Sequence, residues 1–164
     1  MNNIDEIPIL LRREIEARIA APLIEAFINE FGKEATEKVA SQVILKLAEQ
    51  SGEQLANRCG GNSLAHLRDG TGQWSAGGAL QRDVLETTET NYDYNIVRCK
   101  YADMYKALGL EKMGALLSCG RDGKMFGGFN PKIKFKRTQT IMEGAPHCDF
   151  RLSLEDDGEQ NAPT

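Results

Sequence analysis

Large apolar residues recur every four positions through the first third of the chain, as on one stripe of an α-helix. The pattern predicts a helix over residues 8–31, in which Pro22 either kinks the helix or begins a second one. Another helix is predicted over 33–58, and the single Gly32 between the two favours an antiparallel hairpin. The stripe residues are Ile15, Ile19, Leu23 and Phe27 in the first helix, then Val39, Val43, Ile44, Leu47 and Leu55 in the second.

From residue 82 the apolar period changes to two, which is typical of β-strands. Strands are predicted over 83–90, 92–99, 132–142 and 148–155, the first near a sheet edge, with short helices over 101–108 and 110–118. A glycine-rich loop is expected over 120–131. The last two strands are predicted to form a hairpin around a turn at 144–147, with residue 141 opposite 150 and residue 139 opposite 152.

These elements predict an α+β fold in which the N-terminal helical half packs on one face of a small antiparallel β-sheet. The 164 residues are 41% hydrophobic, which is enough for one domain with its own core, expected over 1–155. Residues 156–164 are acidic and polar, and we expect them to be a disordered tail.

The net charge and the composition argue against two classes of binding partner. The net charge of −4 gives no nucleic-acid footprint, and no apolar run approaches the roughly 20 residues of a membrane span or resembles a signal peptide. We therefore expect a cytoplasmic protein that binds a small molecule, with no membrane and no nucleic-acid partner. Its four cysteines, with no Cys-x-x-Cys pair, should stay reduced, and no cofactor is expected. The stripes on the N-terminal helices leave a homo-oligomer or another partner open.

A series of short motifs covers about residues 90–152. They are Arg98-Cys99-Lys-Tyr101-Ala102, Cys119-x-x-Asp122, Phe129-Asn-Pro131, Arg137-Thr138-x-Thr140-Ile141, Gly144 and Cys148-Asp149-Phe150. In this order and spacing they resemble the L-2-amino-thiazoline-4-carboxylate hydrolase family. The resemblance implies a hydrolase that adds water to the C=N carbon of a small ring bearing a carboxylate, opening a thiazoline to a carbamoyl-cysteine. It implies carbon–nitrogen bond hydrolysis of cyclic amidines or amides, and it assigns no catalytic residue.

Opening such a ring needs a nucleophile, a proton for the departing atom and stabilisation of the charge that develops. Cys119 is the preferred nucleophile, and Asp122 lies three residues later, where both side chains can face one pocket. Because a helix C-terminus is negative, it would raise the pKa of the thiol, and Arg121 or Lys124 would have to offset this effect. Otherwise Cys119 is a small buried residue and Asp122 caps a turn.

The second candidate group is His147, Cys148 and Asp149. Neighbours in a regular strand point to opposite faces, so Cys148 and Asp149 should not share a pocket, and Cys148 should point toward the core. His147, in the predicted turn, is a candidate general acid or base. The alternative is a core cysteine beside an exposed histidine.

Arg137 shares a predicted strand face with apolar residues, so its charge needs either a ligand carboxylate or an internal acid such as Asp122, Asp149 or Glu143. The predicted hairpin register places Arg137 roughly 20 Å from Cys148, too far for one small substrate to reach both. Thr138, Thr140 and Asp149 complete the predicted substrate-binding set, although both threonines are also good strand formers.

The sequence thus predicts a small hydrolase with a cysteine nucleophile. Three alternatives stay open. The same pocket would serve a sensor that binds a small molecule without turnover. Cys119, Asp122, His147 and Cys148 would supply ligands to a metal-dependent hydrolase. The N-terminal helices would dock a partner if the protein is a structural subunit.

Overall fold

The computed structural model describes residues 6–155, and the predicted tail at 156–164 lies outside them. Within this range a helical half precedes a four-stranded antiparallel sheet of order β1-β2-β4-β3, which confirms the α+β class. The helices are α1 (Ile9–Phe31), α2 (Lys33–Cys59), α3 (Leu64–Gly70), α4 (Lys100–Ala107), α5 (Glu111–Leu117) and α6 (Asp122–Phe129). The strands are β1 (Leu80–Thr87), β2 (Asn91–Cys99), β3 (Ile133–Lys136) and β4 (Cys148–Leu154). None of the helices in this range is both long and apolar enough to cross a bilayer.

The main core lies where helices cover one face of the sheet. Alternate residues of β2 and β4 point to this face because successive side chains of a strand alternate in direction. They pack against apolar residues of α2, α3 and α6. The buried members include Tyr92, Tyr94, Ile96, Phe150 and Leu152 from the sheet, and Ala48, Leu55, Leu64, Leu67, Met125, Phe126 and Phe129 from the helices.

The four-residue stripe of α1 is exposed rather than buried. The helix packs through smaller residues, Ala17, Ala21 and Ile24, against Tyr105, Met113 and Leu117 of α4 and α5. Ile19 is 61% exposed and Phe31 is 66% exposed. Four residues exceed one helical turn by about 40°, so a row with this spacing spirals around the helix instead of following one face. Pro22 lies inside a single continuous helix.

Residues 122–129 form helix α6, whereas the sequence predicts a loop there because of its glycines. Two glycines let α6 and α2 approach within backbone contact. A Cβ on Gly128 would lie 2.1 Å from the Glu49 carbonyl oxygen, and one on Gly52 would lie 2.0 Å from the Met125 carbonyl oxygen. These glycines are therefore needed for close packing and not for a turn.

The predicted hairpin register is wrong. β3 ends at Lys136, and Phe135, not residue 139, pairs with Leu152, a shift of four residues along β3. The strand ends early because Asp149 accepts backbone N–H bonds from Thr138 and Gln139, both 2.9 Å, which bend the chain away from the ladder. Since the shift is even, each side chain keeps its face. Arg137 consequently lies near the beginning of β4 and close to Cys148, not 20 Å away.

Candidate active site

A large cavity lies between the α1–α2 hairpin and the sheet. Its volume is about 1020 Å³, and most of its lining is apolar. One side is open to solvent between the two helices; we call this the apolar mouth, and it is lined by the exposed residues Leu23, Phe27, Phe31, Val39, Val43 and Leu47. At the other side, polar groups face the cavity; we call this the polar end, and it comprises Cys119, Asp122, Arg137 and Cys148.

Arg137 connects the residues of the polar end. One guanidinium nitrogen, Nη1, donates to the Asp122 carboxylate, and Nη2 donates to the Cys119 carbonyl oxygen at 3.0 Å. The guanidinium also lies over the Phe150 ring, 5.3 Å from its centroid. The charge of Arg137 thus faces an internal carboxylate, which is one of the two arrangements expected for it.

Local backbone structure brings the thiol and the acid together. A short 3₁₀ turn, Cys119–Arg121, leads directly into α6, so Asp122 lies in the first helical turn. A carboxylate is favourable at that position because the helix N-terminus is positive. Cys119 lies between two helices: it follows the end of α5 by two residues, as the sequence predicted, and it also opens the turn that leads into α6.

Burial sets the protonation of the polar end. The pKa of the Cys119 thiol is raised strongly, first by burial and then by the neighbouring Asp122 charge. Burial likewise raises the pKa of Cys148. The pKa of Asp122 is raised to about 6 by burial, although the Arg137 charge opposes this shift. Near pH 7 the site therefore holds protonated thiols beside a carboxylate that gains or loses a proton close to neutrality.

Aromatic rings form the cavity wall on the sheet. Tyr94 and Phe150 stack with their ring centroids 4.9 Å apart. Arg137 lies over Phe150, and Arg82 lies over Tyr94 at 5.3 Å from its centroid. Sequence reasoning missed Arg82 because the predicted first strand begins at residue 83, whereas β1 begins at Leu80. The available signal was its position two residues after Leu80, an apolar residue that also lines the cavity.

Four of the predicted site residues do not line the cavity. His147 is half-buried, and its carbonyl oxygen accepts a bond from the Gln139 side chain. The Asp149 carboxylate accepts bonds from the backbone and hydroxyl of exposed Thr138 and from the Gln139 backbone. Buried Thr140 caps the turn Ile141–Glu143 through its hydroxyl. The hydrogen bonds of these residues hold the connection between β3 and β4 in place. The polar end therefore contains thiols and an acid but not the imidazole that the sequence predicted.

The metal alternative finds no support in the arrangement of side chains. Over residues 6–155 no three His, Cys, Asp or Glu side chains come together in a way that would hold a metal ion. His147 in particular does not join Cys119, Asp122 and Cys148 at the cavity.

Comparison with solved structures shows the fold. The phenol-responsive sensory domain of the transcription activator PoxR, solved with phenol, matches with a TM-score of 0.52 and 12% identity over 81% of this chain and 71% of that one. A trafficking protein particle complex subunit 3 from Naegleria fowleri, covalently bound to palmitic acid, matches with a TM-score of 0.54 and 9% identity over 89% and 96% of the two chains.

No curated protein matches the chain. The family model described as L-2-amino-thiazoline-4-carboxylic acid hydrolase matches residues 12–152, which include every residue of the polar end. The chain therefore belongs to the L-2-amino-thiazoline-4-carboxylic acid hydrolase family.

Proposed function

We propose that this protein is a hydrolase that opens a small cyclic amidine or amide, with Cys119 as the nucleophile and Asp122 as the proton-transferring group. The observation that carries the proposal is the polar end, where a thiol, a carboxylate of raised pKa and an arginine face one cavity. A carboxyl group with a pKa of about 6 is suited to proton transfer near neutrality. The family membership supports hydrolysis. The bond that is cleaved and the class of substrate are part of what we propose.

The raised pKa of Cys119 means that the thiol needs a base when it attacks. As Sγ bonds to the amidine carbon, the Asp122 carboxylate takes the Sγ proton and passes it to the ring nitrogen that receives the C=N electron pair. When the tetrahedral centre collapses, that nitrogen re-forms the C=N bond, and the ring heteroatom leaves with the relayed proton. Water then adds to the same carbon: Asp122 takes one proton of the water and passes it to the nitrogen that again receives the C=N electron pair. The C=O bond forms as the Cys119 sulfur leaves, and the remaining hydroxyl proton returns to that sulfur.

Arg137 is a positioning residue in this scheme. Its two bonds hold the Asp122 carboxylate and the Cys119 carbonyl in one arrangement. Because its charge favours the carboxylate form, it also keeps the pKa of Asp122 from rising further. Proton transfer is assigned to Asp122 alone, since His147 does not line the cavity. Cys148 is the second candidate nucleophile.

The decisive experiment follows the ring absorbance of 2-aminothiazoline-4-carboxylate together with the free thiol that ring opening releases. Cys119→Ala should lower the rate at least about a hundredfold, as expected for loss of the attacking group. Cys59→Ala is the matched control, because Cys59 does not line the cavity. Full activity in Cys119→Ala would remove Cys119 from the mechanism. If Cys148→Ala then loses activity while Cys119→Ala keeps it, Cys148 is the nucleophile.

A second candidate function is a sensor that binds a small molecule without turnover. Both structural neighbours hold ligands with an apolar body, phenol in one and palmitic acid in the other, and the cavity walls here are apolar too. A sensor would bind its ligand stoichiometrically and release no product over hours. Calorimetry and the thiol assay on the same ligand separate the two functions.

We further propose a homodimer through the N-terminal helices. The α1 row of exposed apolar residues, with Ile7 before it, is spaced symmetrically about Ile19, so two antiparallel copies of α1 would present matching positions. Rows of this spacing form the ridges of the commonest helix–helix packing.

Sedimentation analysis tests the dimer. We expect twice the chain mass for the wild type and a monomer for Ile19→Glu. Val84→Glu is the control, since Val84 is an exposed apolar residue on β1, away from the helices. A monomeric wild type would refute the proposal. We also propose a cytoplasmic location and a single domain over 1–155, and the four unpaired cysteines support a reducing compartment.

A further inference from the structure

Arg82 lacks the carboxylate partner that two other arginines of the cavity wall have. Arg137 pairs with Asp122, and Arg13 pairs with Glu16. Arg82 also lines the cavity, yet in the described part of the chain no carboxylate is in ion-pair contact with it. Arg82 is half-buried, and a partly desolvated cation without a counter-charge carries a cost that a bound anion would offset.

The hydrogen bonds of Arg82 leave one edge of its guanidinium unused. Nη1 donates to the Thr71 hydroxyl at 3.2 Å and to the Tyr92 hydroxyl at 3.4 Å, and Nη2 donates to the Thr71 carbonyl oxygen at 2.6 Å. An arginine has five N–H donors, so the Nε hydrogen and one Nη2 hydrogen remain. Nε is buried and has no acceptor among residues 6–155. Nε and Nη2 form the side-on donor pair that a carboxylate accepts.

The position of Arg82 is fixed by its surroundings. Thr71, which holds the opposite edge of the guanidinium, is 1% exposed. The Tyr94 ring lies beneath the guanidinium. The side chain is therefore held in place before a ligand arrives, which lowers the entropic cost of binding.

Arg82 and Cys148, which belongs to the polar end, lie on one row across the sheet. Arg82 pairs with Ile96 on β2, and Ile96 pairs with Cys148 on β4, so the three residues form a line across three neighbouring strands. Two inter-strand spacings amount to about 10 Å between the backbones of Arg82 and Cys148. Arg82 and the polar end therefore face the same cavity from strands that lie two positions apart in the sheet.

We propose that Arg82 binds the carboxylate of the substrate and thereby orients the ring with its reactive carbon toward the polar end. This inference rests on the proposed function, because it names the anchor for a ring that carries a carboxylate. It gives the role of carboxylate anchor to Arg82 rather than to Arg137, whose charge is already opposed by Asp122.

Binding of two saturated analogues tests the anchor without turnover. Thiazolidine-4-carboxylate and thiazolidine-4-carboxamide have no C=N bond and differ only in the charge of one group. Calorimetry should show that the wild type prefers the carboxylate by about tenfold to a hundredfold, as expected for charge-assisted bonds to a half-buried arginine. In Arg82→Gln the preference should fall to about one, and Arg82→Lys should retain part of it because it keeps the charge but loses the side-on edge.

Arg98→Gln is the matched control, because Arg98 is exposed on the neighbouring strand and does not line the cavity. It should keep the wild-type preference. A wild type without preference for the carboxylate, or an Arg82→Gln variant that keeps it, would overturn the assignment. If Arg82→Gln does not fold, as judged by circular dichroism, the reduced preference of Arg82→Lys carries the test. Loss of preference in a protein that never opens 2-aminothiazoline-4-carboxylate would support the anchor while refuting the hydrolase.

Discussion

The protonation of Asp122 makes the pH dependence of ring opening the sharpest test of the mechanism. Burial raises the pKa of this carboxyl from 3.8 to about 6, and the Arg137 charge acts in the opposite direction. Asp122 must be ionised to take a proton from Cys119 or from water. The rate constant kcat/KM should therefore rise with pH, with a midpoint near 6, and level off above about pH 7.

The magnitude follows from the ionised fraction. A group with a pKa of about 6 is roughly 90% ionised at pH 7 and roughly 10% ionised at pH 5, so kcat/KM should fall about ninefold to tenfold between these values. A carboxyl group of ordinary pKa would leave the rate almost unchanged over the same interval. Initial rates of ring opening across about pH 4.5 to 8.5, with protein stability checked at each pH, provide the measurement.

Arg137 gives an internal check on the same argument. Its charge lowers the pKa of Asp122, so Arg137→Gln should move the midpoint to higher pH. Arg137→Lys keeps a positive charge and should leave the midpoint closer to that of the wild type. A rate that stays constant from about pH 5 to 8, or a midpoint that does not rise in Arg137→Gln, would refute Asp122 as the base.

Three further predictions concern packing and the site. Gly128→Ala should lower the free energy of unfolding by at least about 3 kcal/mol in urea titrations, because the new Cβ would meet the Glu49 carbonyl at 2.1 Å. Asp149→Ala should cost about 2 kcal/mol in the same assay by leaving the N–H groups near residue 138 without their acceptor. Iodoacetamide should alkylate Cys119 at least about tenfold more slowly at pH 8 in the folded protein than in urea, since burial raises the pKa of the thiol.

Each of these predictions has a clear contrary result. Gly127→Ala is the control for Gly128→Ala, because nothing lies within 4 Å of the added Cβ; it should be neutral or stabilise the helix by up to about 1 kcal/mol. Equal stabilities of the two variants would contradict the close approach of α2 and α6. An unchanged stability of Asp149→Ala would mean that the 137–147 connection is held by other groups. Equal alkylation rates in the folded and unfolded states would show that Cys119 is not buried.

Periodicity predicted the long helices, the strands β2 and β4, and the α+β class, because those patterns report which residues face a core. The α1 stripe was harder to interpret. A row of large residues at Ile15, Ile19, Leu23 and Phe27 has the spacing of a buried face, yet the buried positions are the alanines between them. Sequence alone does not distinguish a face that packs inside the molecule from one that is left for a partner or a cavity.

The candidate site was predicted only in part, because sequence patterns do not show where a strand ends. Cys119, Asp122, Arg137 and Cys148 do face one cavity, but the predicted register separated Arg137 from Cys148. The register depends on where β3 ends, and that depends on three bonds to one carboxylate, Asp149, which no periodic pattern reveals. Helix α6 was missed because glycine propensity argues for a loop when the packing partner is not known.

The size of the cavity has a consequence for substrate choice. Its volume of about 1020 Å³ equals the space of roughly thirty water molecules, far more than a five-membered ring requires. Steric exclusion therefore contributes little to discrimination, and rings with bulky or extended substituents have room to enter through the gap between the first two helices. We expect a tolerant enzyme that accepts a series of homologous heterocycles.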